Sequence, residues 1–323
     1  MPYPYGILND EVPHYVRNDK MKNKEYNGLR FLRSLRSVEM TVSVVLLLLM
    51  TSCGKHDLLG VFMTFDESPN ERFAQSMEYN DSHGYDVISG VPDEYRVYAM
   101  SDVHVENSTR NLDAYVADYL ADTTAAQFSL CLGDLIYGKD RFDLFSDHVK
   151  AVTDAGRKIY YTAGNHDLFF KQWKDFYSHF GPSTYWFEVQ TVSGYKDLFV
   201  ALESGSGTLG VDQRKWVEDV LKSKQNQGFR HVIVFTHTHF FRINNTNAHT
   251  SSYSMEETYD LADLFDRYDV SLVLQGHSHS RDMTLFKDVV YLVLDAMKDD
   301  ASEASYAVLK VGGSINWEFV RVN

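Results

Sequence analysis

The sequence predicts a layered α/β domain, and three observations predict it. From Tyr95 onward, short apolar runs of strand length alternate with amphipathic stretches of helix length. Five short motifs rich in Asp, His and Asn each fall directly behind one of the apolar runs. Of the 323 residues, 44% are hydrophobic and 24% charged, the balance of a folded domain with a real core.

The elements follow in order. Arg96–Met100 reads as a buried strand, and Leu112–Leu120 as an amphipathic helix capped near Asn107 or Ser108. Phe128–Leu132 is the next strand and Phe142–Ala155 the next helix. Lys158–Thr162 is a third strand, followed by a helix over Lys171–Phe180 and strands at Tyr185–Val192 and Leu198–Leu202. A helix over Asp212–Ser223, a strand at His231–Phe235, a helix over Met255–Tyr268 and a strand at Ser271–Gln275 continue the alternation. The end is β-rich: Val289–Leu294, Ala307–Val311 and Trp317–Val322. The domain is expected over 93–323, with a tether over 53–92, because that stretch is polar and rich in turn signals such as Asn80-Asp81-Ser82-His83-Gly84.

A formal net charge of −14 argues against long nucleic acid as a partner, since neutralising a phosphate backbone takes clustered Lys and Arg. Attraction for phosphate must then be local, and metal ions are the obvious source. The two cysteines make no disulfide framework. Cys131 lies in an apolar run and reads as a small buried residue. Cys53 follows the apolar stretch Val42–Met50, about ten residues and too short to span a bilayer. With Arg30, Arg33 and Arg36 before it, that stretch reads as the apolar region of a signal peptide occupying 1–52. Leu49-Met50-Thr51-Ser52-Cys53 resembles a bacterial lipobox, whose cysteine becomes the lipidated N-terminus. This predicts a lipoprotein anchored outside the cytoplasm, with Met21 as an alternative start.

The five motifs carry the chemistry. They are Asp102-Val103-His104, Gly133-Asp134, Gly164-Asn165-His166-Asp167, His237 at the end of Val234–Phe235–Thr236, and Gly276-His277-Ser278-His279. Ligands of open α/β sheets bind beyond the carboxyl ends of strands, where each motif falls. Carboxylate and imidazole donors without thiolate suit Mn, Fe or Zn. Asp-x-His or Gly-Asp alone is common, and a lone strand-end His is more often structural. All five in this order are a specific signal.

On these motifs the sequence resembles the calcineurin-like metallophosphoesterase superfamily over about Tyr95–Val322. The resemblance implies a sandwich of two mixed β-sheets flanked by helices, with two metal ions at one end. It implies that Asp102, His104 and His279 hold one ion, that Asn165, His237 and His277 hold the other, and that Asp134 bridges them. His166 lines up with the catalytic histidine and Asp167 with an acid that orients it. Gly133-Asp134-Leu135-Ile136-Tyr137 is similar to the Gly-Asp-x-x-Tyr motif of purple acid phosphatases, whose tyrosine binds iron. Those enzymes have glycine where this chain has His104, so Tyr137 reads as a pocket wall rather than a ligand. His239 either touches substrate or faces solvent. Arg242 and Arg281 could shape the pocket.

The expected reaction is hydrolysis of a small phosphomonoester or phosphodiester by a hydroxide bridging the two ions. His166 would protonate the leaving oxygen. The alternative is a non-catalytic metal-binding or scaffold protein on the same fold.

Overall fold

The computed structural model describes residues 67–241 and 253–322. The predicted signal peptide, Cys53 and Arg242 lie outside the described residues.

Two mixed sheets face each other. The five-stranded sheet runs β12 (Ile315–Arg321), β11 (Ser305–Val311), β2 (Tyr95–Met100), β3 (Ala125–Cys131), β4 (Lys158–Tyr161). The seven-stranded sheet runs β1 (Val87–Val91), β5 (Tyr185–Thr191), β6 (Lys196–Leu202), β7 (Phe229–Thr236), β8 (Leu272–Gln275), β10 (Val289–Val293), β9 (Asp282–Phe286). Strands β2, β3 and β4 are parallel, as are β6, β7, β8 and β10.

These parallel strands read as nearly continuous apolar runs because both of their faces are covered. In β2, Val97 and Ala99 point between the sheets, while Tyr98 and Met100 point outward under helices. In β6, Phe199 and Ala201 point inward and Leu198, Val200 and Leu202 outward. Phe128, Phe187 and Phe199 meet at the centre, with Phe187 and Phe199 stacked at 4.9 Å. Deleting one such ring costs about 3–5 kcal/mol.

The outer face of the smaller sheet is covered by α2 (Arg110–Ala121), α3 (Phe142–Asp154) and α5 (Trp173–Phe180), with the one-turn α4 (Asn165–Leu168) between the last two in sequence. That of the larger is covered by α6 (Gly210–Lys224) and α7 (Met255–Arg267). Helix α2 begins at Arg110, later than the expected cap. Its first amides, Arg110 N and Asn111 N, donate to the carboxylate of Asp299 at 3.1 and 2.8 Å, so a remote residue caps it.

The expected tether over 53–92 is corrected from Pro69 onward. Residues Pro69–His83 form α1, and β1 pairs in parallel with β5. A capping box starts α1: Ser68 Oγ accepts from Glu71 N, and the Glu71 carboxylate accepts from Ser68 N. Its hydrophobic side is weak, and polar groups dock it instead. Buried Arg72 pairs with buried Glu203 at 2.9 Å and donates to Ser206 Oγ. Asn80 Nδ2 donates to Thr184 O, and Trp173 Nε1 to Gln75 Oε1.

Register brings the motifs to one edge. Met100 pairs with Cys131, and Cys131 with Tyr161, so the loops after β2, β3 and β4 leave side by side. Leu202 pairs with Thr236, and Phe235 with Leu274, which aligns the loops after β6, β7 and β8.

Candidate metal centre

Each predicted ligand stands in the first residues past a strand. After β2 and β3 the chains stay zipped together: Asp102 N donates to Gly133 O, His104 N to Asp134 O, and Val105 N to Leu135 O. Gly133 (φ +92°) and Gly164 touch, and a Cβ on Gly133 would clash with the Gly164 backbone. A Cβ on Gly164 would strike the Asp134 carboxylate, and one on Gly276 the Ser101 hydroxyl and Asp102. Three motif glycines are therefore required for close approach.

The loops are also bent into the left-handed region at side chains that resist it. Asp102, His104, Asp134, His277 and His279 all have φ between 49° and 68°. Each such residue costs of order 1–2 kcal/mol, so the surroundings must hold it. Strained backbone thus coincides with the candidate ligands.

Two groups of ligand atoms result, with Asp134 in both. Asp102, His104, Asp134 and His279 form one, and Asp134, His237 and His277 the other, each with its ligand atoms within 4.8 Å of one another. Asp134 Oδ2 lies 3.5 Å from His104 Nε2 and 3.4 Å from His237 Nε2. Asn165 Oδ1 joins the second group at 3.0 Å from His237 Nε2. His237 Nε2 and His277 Nδ1 are 3.2 Å apart.

The remaining donor atoms are pinned. His237 Nδ1 donates to Leu132 O at 2.9 Å, which fixes its tautomer and leaves Nε2 as a lone pair. Asp134 Oδ1 accepts from His166 N. Asp102 Oδ2 accepts from Ser101 Oγ and His277 N, leaving the buried Oδ1 facing His279 Nε2 at 3.2 Å. A buried carboxylate oxygen among converging imidazole nitrogens is costly unless protons or a cation lie between them, so the donor set fits divalent metal.

Electrostatics divide the histidines. Burial lowers His104 to about 4 and His277 to about 3, keeping both imidazoles in the neutral form that a metal requires. Burial works the same way on His237, but the Asp134 carboxylate outweighs it and raises that group to about 9, so without metal its Nε2 holds a proton that a bound cation would displace. Burial would raise Asp134, yet His237 and His166 beside it hold its pKa well below the usual carboxylate range.

A calcineurin-like phosphoesterase family profile matches residues 95–281, more than half of the chain. The chain belongs to that family. Among solved structures it is similar to the purple acid phosphatase PPD1 from yellow lupin (Lupinus luteus) seeds, at 13% identity and a TM-score of 0.55. That match covers 71% of this chain and 52% of the lupin enzyme, so the chain spans about half of its length. It is also similar to GAP50, the anchor in the inner membrane complex of Plasmodium, at 14% identity and a TM-score of 0.50, covering 71% of this chain and 84% of that one. Both likenesses speak to the fold. No curated protein matches.

Within the calcineurin-like phosphoesterase family the chain carries an Asp/His cluster suited to divalent metal. Several sequence expectations need correcting. Asp167 does not orient His166: its carboxylate is fully buried and accepts from Asp134 N, Leu135 N and Gly164 N, each at 2.8 Å. Burial and the Asp134 carboxylate raise its pKa, while the Gly164 and Leu135 amides and the His237 charge oppose the rise. The Arg281 guanidinium lies 3.0 Å from Asp295 and over the Phe319 ring. His239 does not face solvent: it is 7% exposed and packs at 5.6 Å from the His277 ring.

Tyr137 is 52% exposed and stacks on His166 at 5.3 Å, so it walls the site. Sequence reasoning passed over Ser101 and Ser204. Ser204 Oγ accepts from Thr236 Oγ1 and Thr238 N, clamping the turn that carries His237. The only sequence signal for it was its place just past a strand.

Proposed function

We propose that this chain hydrolyses small phosphate esters at a dinuclear metal centre, on a protein held outside the cytoplasm by lipid on Cys53. The observation that carries the dinuclear reading is that Asp134 Oδ2 faces ligand atoms of both groups. A carboxylate between two cations screens each from the other. Asp102, His104 and His279 would hold one ion, and Asn165, His237 and His277 the other. Bound there, divalent ions such as Mn, Fe or Zn supply an activated water nucleophile and offset the charge that builds on the phosphoryl oxygens.

The chain's own residues do the rest. Leu132 O orients His237, Ser101 orients Asp102, and the Asp167 carboxylate ties the Gly164 turn to the Asp134 turn. The half-buried His166 ring stands edge-on to His104 at 4.6 Å and can hand a proton to the leaving oxygen. The acidic surface favours small substrates over long nucleic acid.

Elemental analysis of the purified chain, run beside turnover of phosphomonoesters and diesters with Mn, Fe and Zn added back, tests this. Two equivalents of metal with turnover are expected, and Asp134→Asn should lose turnover and most of one metal equivalent. One ion in the active wild type would overturn the bridge. Metal binding without turnover of any ester would favour a scaffold.

A further inference from the structure

A continuous file of aromatic rings leads outward from the metal cluster, and nothing in the chemistry above uses its outer end. Tyr137 stacks on His166 with an interplanar angle of 26°, and its centroid is 5.9 Å from that of His104. On the other side of His166 stands Phe169 at 4.9 Å, followed by Phe170 at 6.4 Å. Tyr137 is 52% and Phe170 47% exposed, so each keeps a bare ring surface at the entrance.

Phe170 is placed there against its own backbone preference. Its φ is 59° and its ψ 24°, and Lys171 follows at φ 66°. A bulky residue in the left-handed region is a genuine outlier, and two in a row require a restraint. Gln172 supplies one. It is fully buried, donates from Nε2 to Gly138 O at 2.9 Å, and accepts at Oε1 from Asp140 N at 3.0 Å. One side chain thus bolts the Phe169–Lys171 turn to the loop that carries Tyr137. The two ring-bearing segments form one rigid rim with His166 between them.

We propose that this rim is a specificity subsite that selects phosphate esters whose leaving group carries a planar ring close to the ester oxygen. The inference rests on the phosphoesterase reading, because it places the leaving group on the His166 side of the cluster. A planar group would stack on the open face of Tyr137 or of Phe170, at either end of the file, while its ester oxygen met His166. A puckered ring of the same size would bury similar area without ring-to-ring geometry.

Benzyl phosphate and cyclohexylmethyl phosphate provide the test, since both release a primary alkoxide of similar size. With the metal-loaded full chain, kcat/KM should favour benzyl by about two- to twelve-fold, the worth of one ring pair. Tyr137→Leu or Phe170→Leu, whichever removes the ring that the ligand stacks on, should erode that ratio, whereas Tyr137→Phe should keep it. Calorimetric binding of benzylphosphonate and cyclohexylmethylphosphonate, which are not hydrolysed, should show the same preference. Equal ratios in wild type and both Leu variants would overturn the subsite. Phosphonate binding with the planar preference but without turnover of either ester would uphold the subsite and overturn the hydrolase reading. No turnover and no phosphonate binding would overturn both.

Discussion

The Nε2 atoms of His104 and His279 face each other across 3.0 Å, with Asp102 Oδ1 3.2 Å from the latter. Two imidazole nitrogens at that separation are tolerable when one carries a proton or when a cation lies between them. The same holds for His237 Nε2 and His277 Nδ1. Metal should therefore stabilise the fold as well as equip it. At a free concentration one hundred times its dissociation constant, a metal adds about 2.7 kcal/mol. For a domain of this size that raises Tm by roughly 5–10 °C. Differential scanning fluorimetry with and without EDTA, then with Mn or Zn restored, should show this shift. An unchanged Tm would mean that the cluster binds no metal in solution.

Asp167 should behave as a structural residue. Its carboxylate receives three backbone N–H groups from two motif turns, and an amide cannot accept all three without turning its own donors on them. Asp167→Asn should lower stability by about 1–3 kcal/mol. Urea denaturation would measure it. A variant of native stability that loses activity only toward poor leaving groups would instead restore the role of orienting His166.

The Arg72–Glu203 pair should be worth far more than a surface bridge. Both side chains are nearly fully buried, so Arg72→Ala strands a carboxylate in the interior and should cost about 3–5 kcal/mol. Glu203 Oε1 also accepts from Gly205 N, and a Cβ on Gly205 would meet Gly164 O at 2.6 Å. Loss of Arg72 should then loosen the Asn165 turn, read as a weaker metal affinity in a competition titration. A variant as stable as wild type would show that α1 is dispensable.

That helix also marks where sequence reading ran short. The strands of the core were legible because apolar runs bounded by Gly, Asn and Asp have no other use, and the seven ligand candidates because Asp, His and Asn recur behind them. Helix α1 was read as tether because it docks through Arg72, Asn80 and Gln75 rather than an apolar stripe. Strand β9 escaped for a related reason: it is an edge strand with Met283 and Leu285 exposed, so it lacks the buried face that periodicity detects. The role of Asp167 was carried over from the family resemblance, on its place beside His166 in the Gly-Asn-His-Asp motif. Adjacent residues on a helical turn point apart, and its carboxylate points to backbone.

Cys53 should carry lipid. A single acyl chain would anchor only marginally, whereas the two or three of a processed lipoprotein hold firmly. Mass spectrometry of the membrane-extracted N-terminus should find acylated Cys53, and Cys53→Ser should release the protein. An unmodified chain beginning upstream of Cys53 would sink the anchor.

His166 should act on the leaving group and leave the metal alone. Its backbone N–H binds Asp134 Oδ1, but its ring makes no hydrogen bond among the described residues and lies between Tyr137, Phe169 and His104. Removing the ring therefore removes a proton donor while the ligand groups stay assembled. The loss depends on how much the departing oxygen needs that proton: an alkoxide is strongly basic, and p-nitrophenolate departs unaided. His166→Asn should slow alkyl phosphates by about 10²–10⁴-fold and p-nitrophenyl phosphate by distinctly less, with metal content unchanged by elemental analysis. Loss of metal would make His166 a ligand. Equal slowing of both substrates would make it a clamp on the phosphoryl group, which does not change between them.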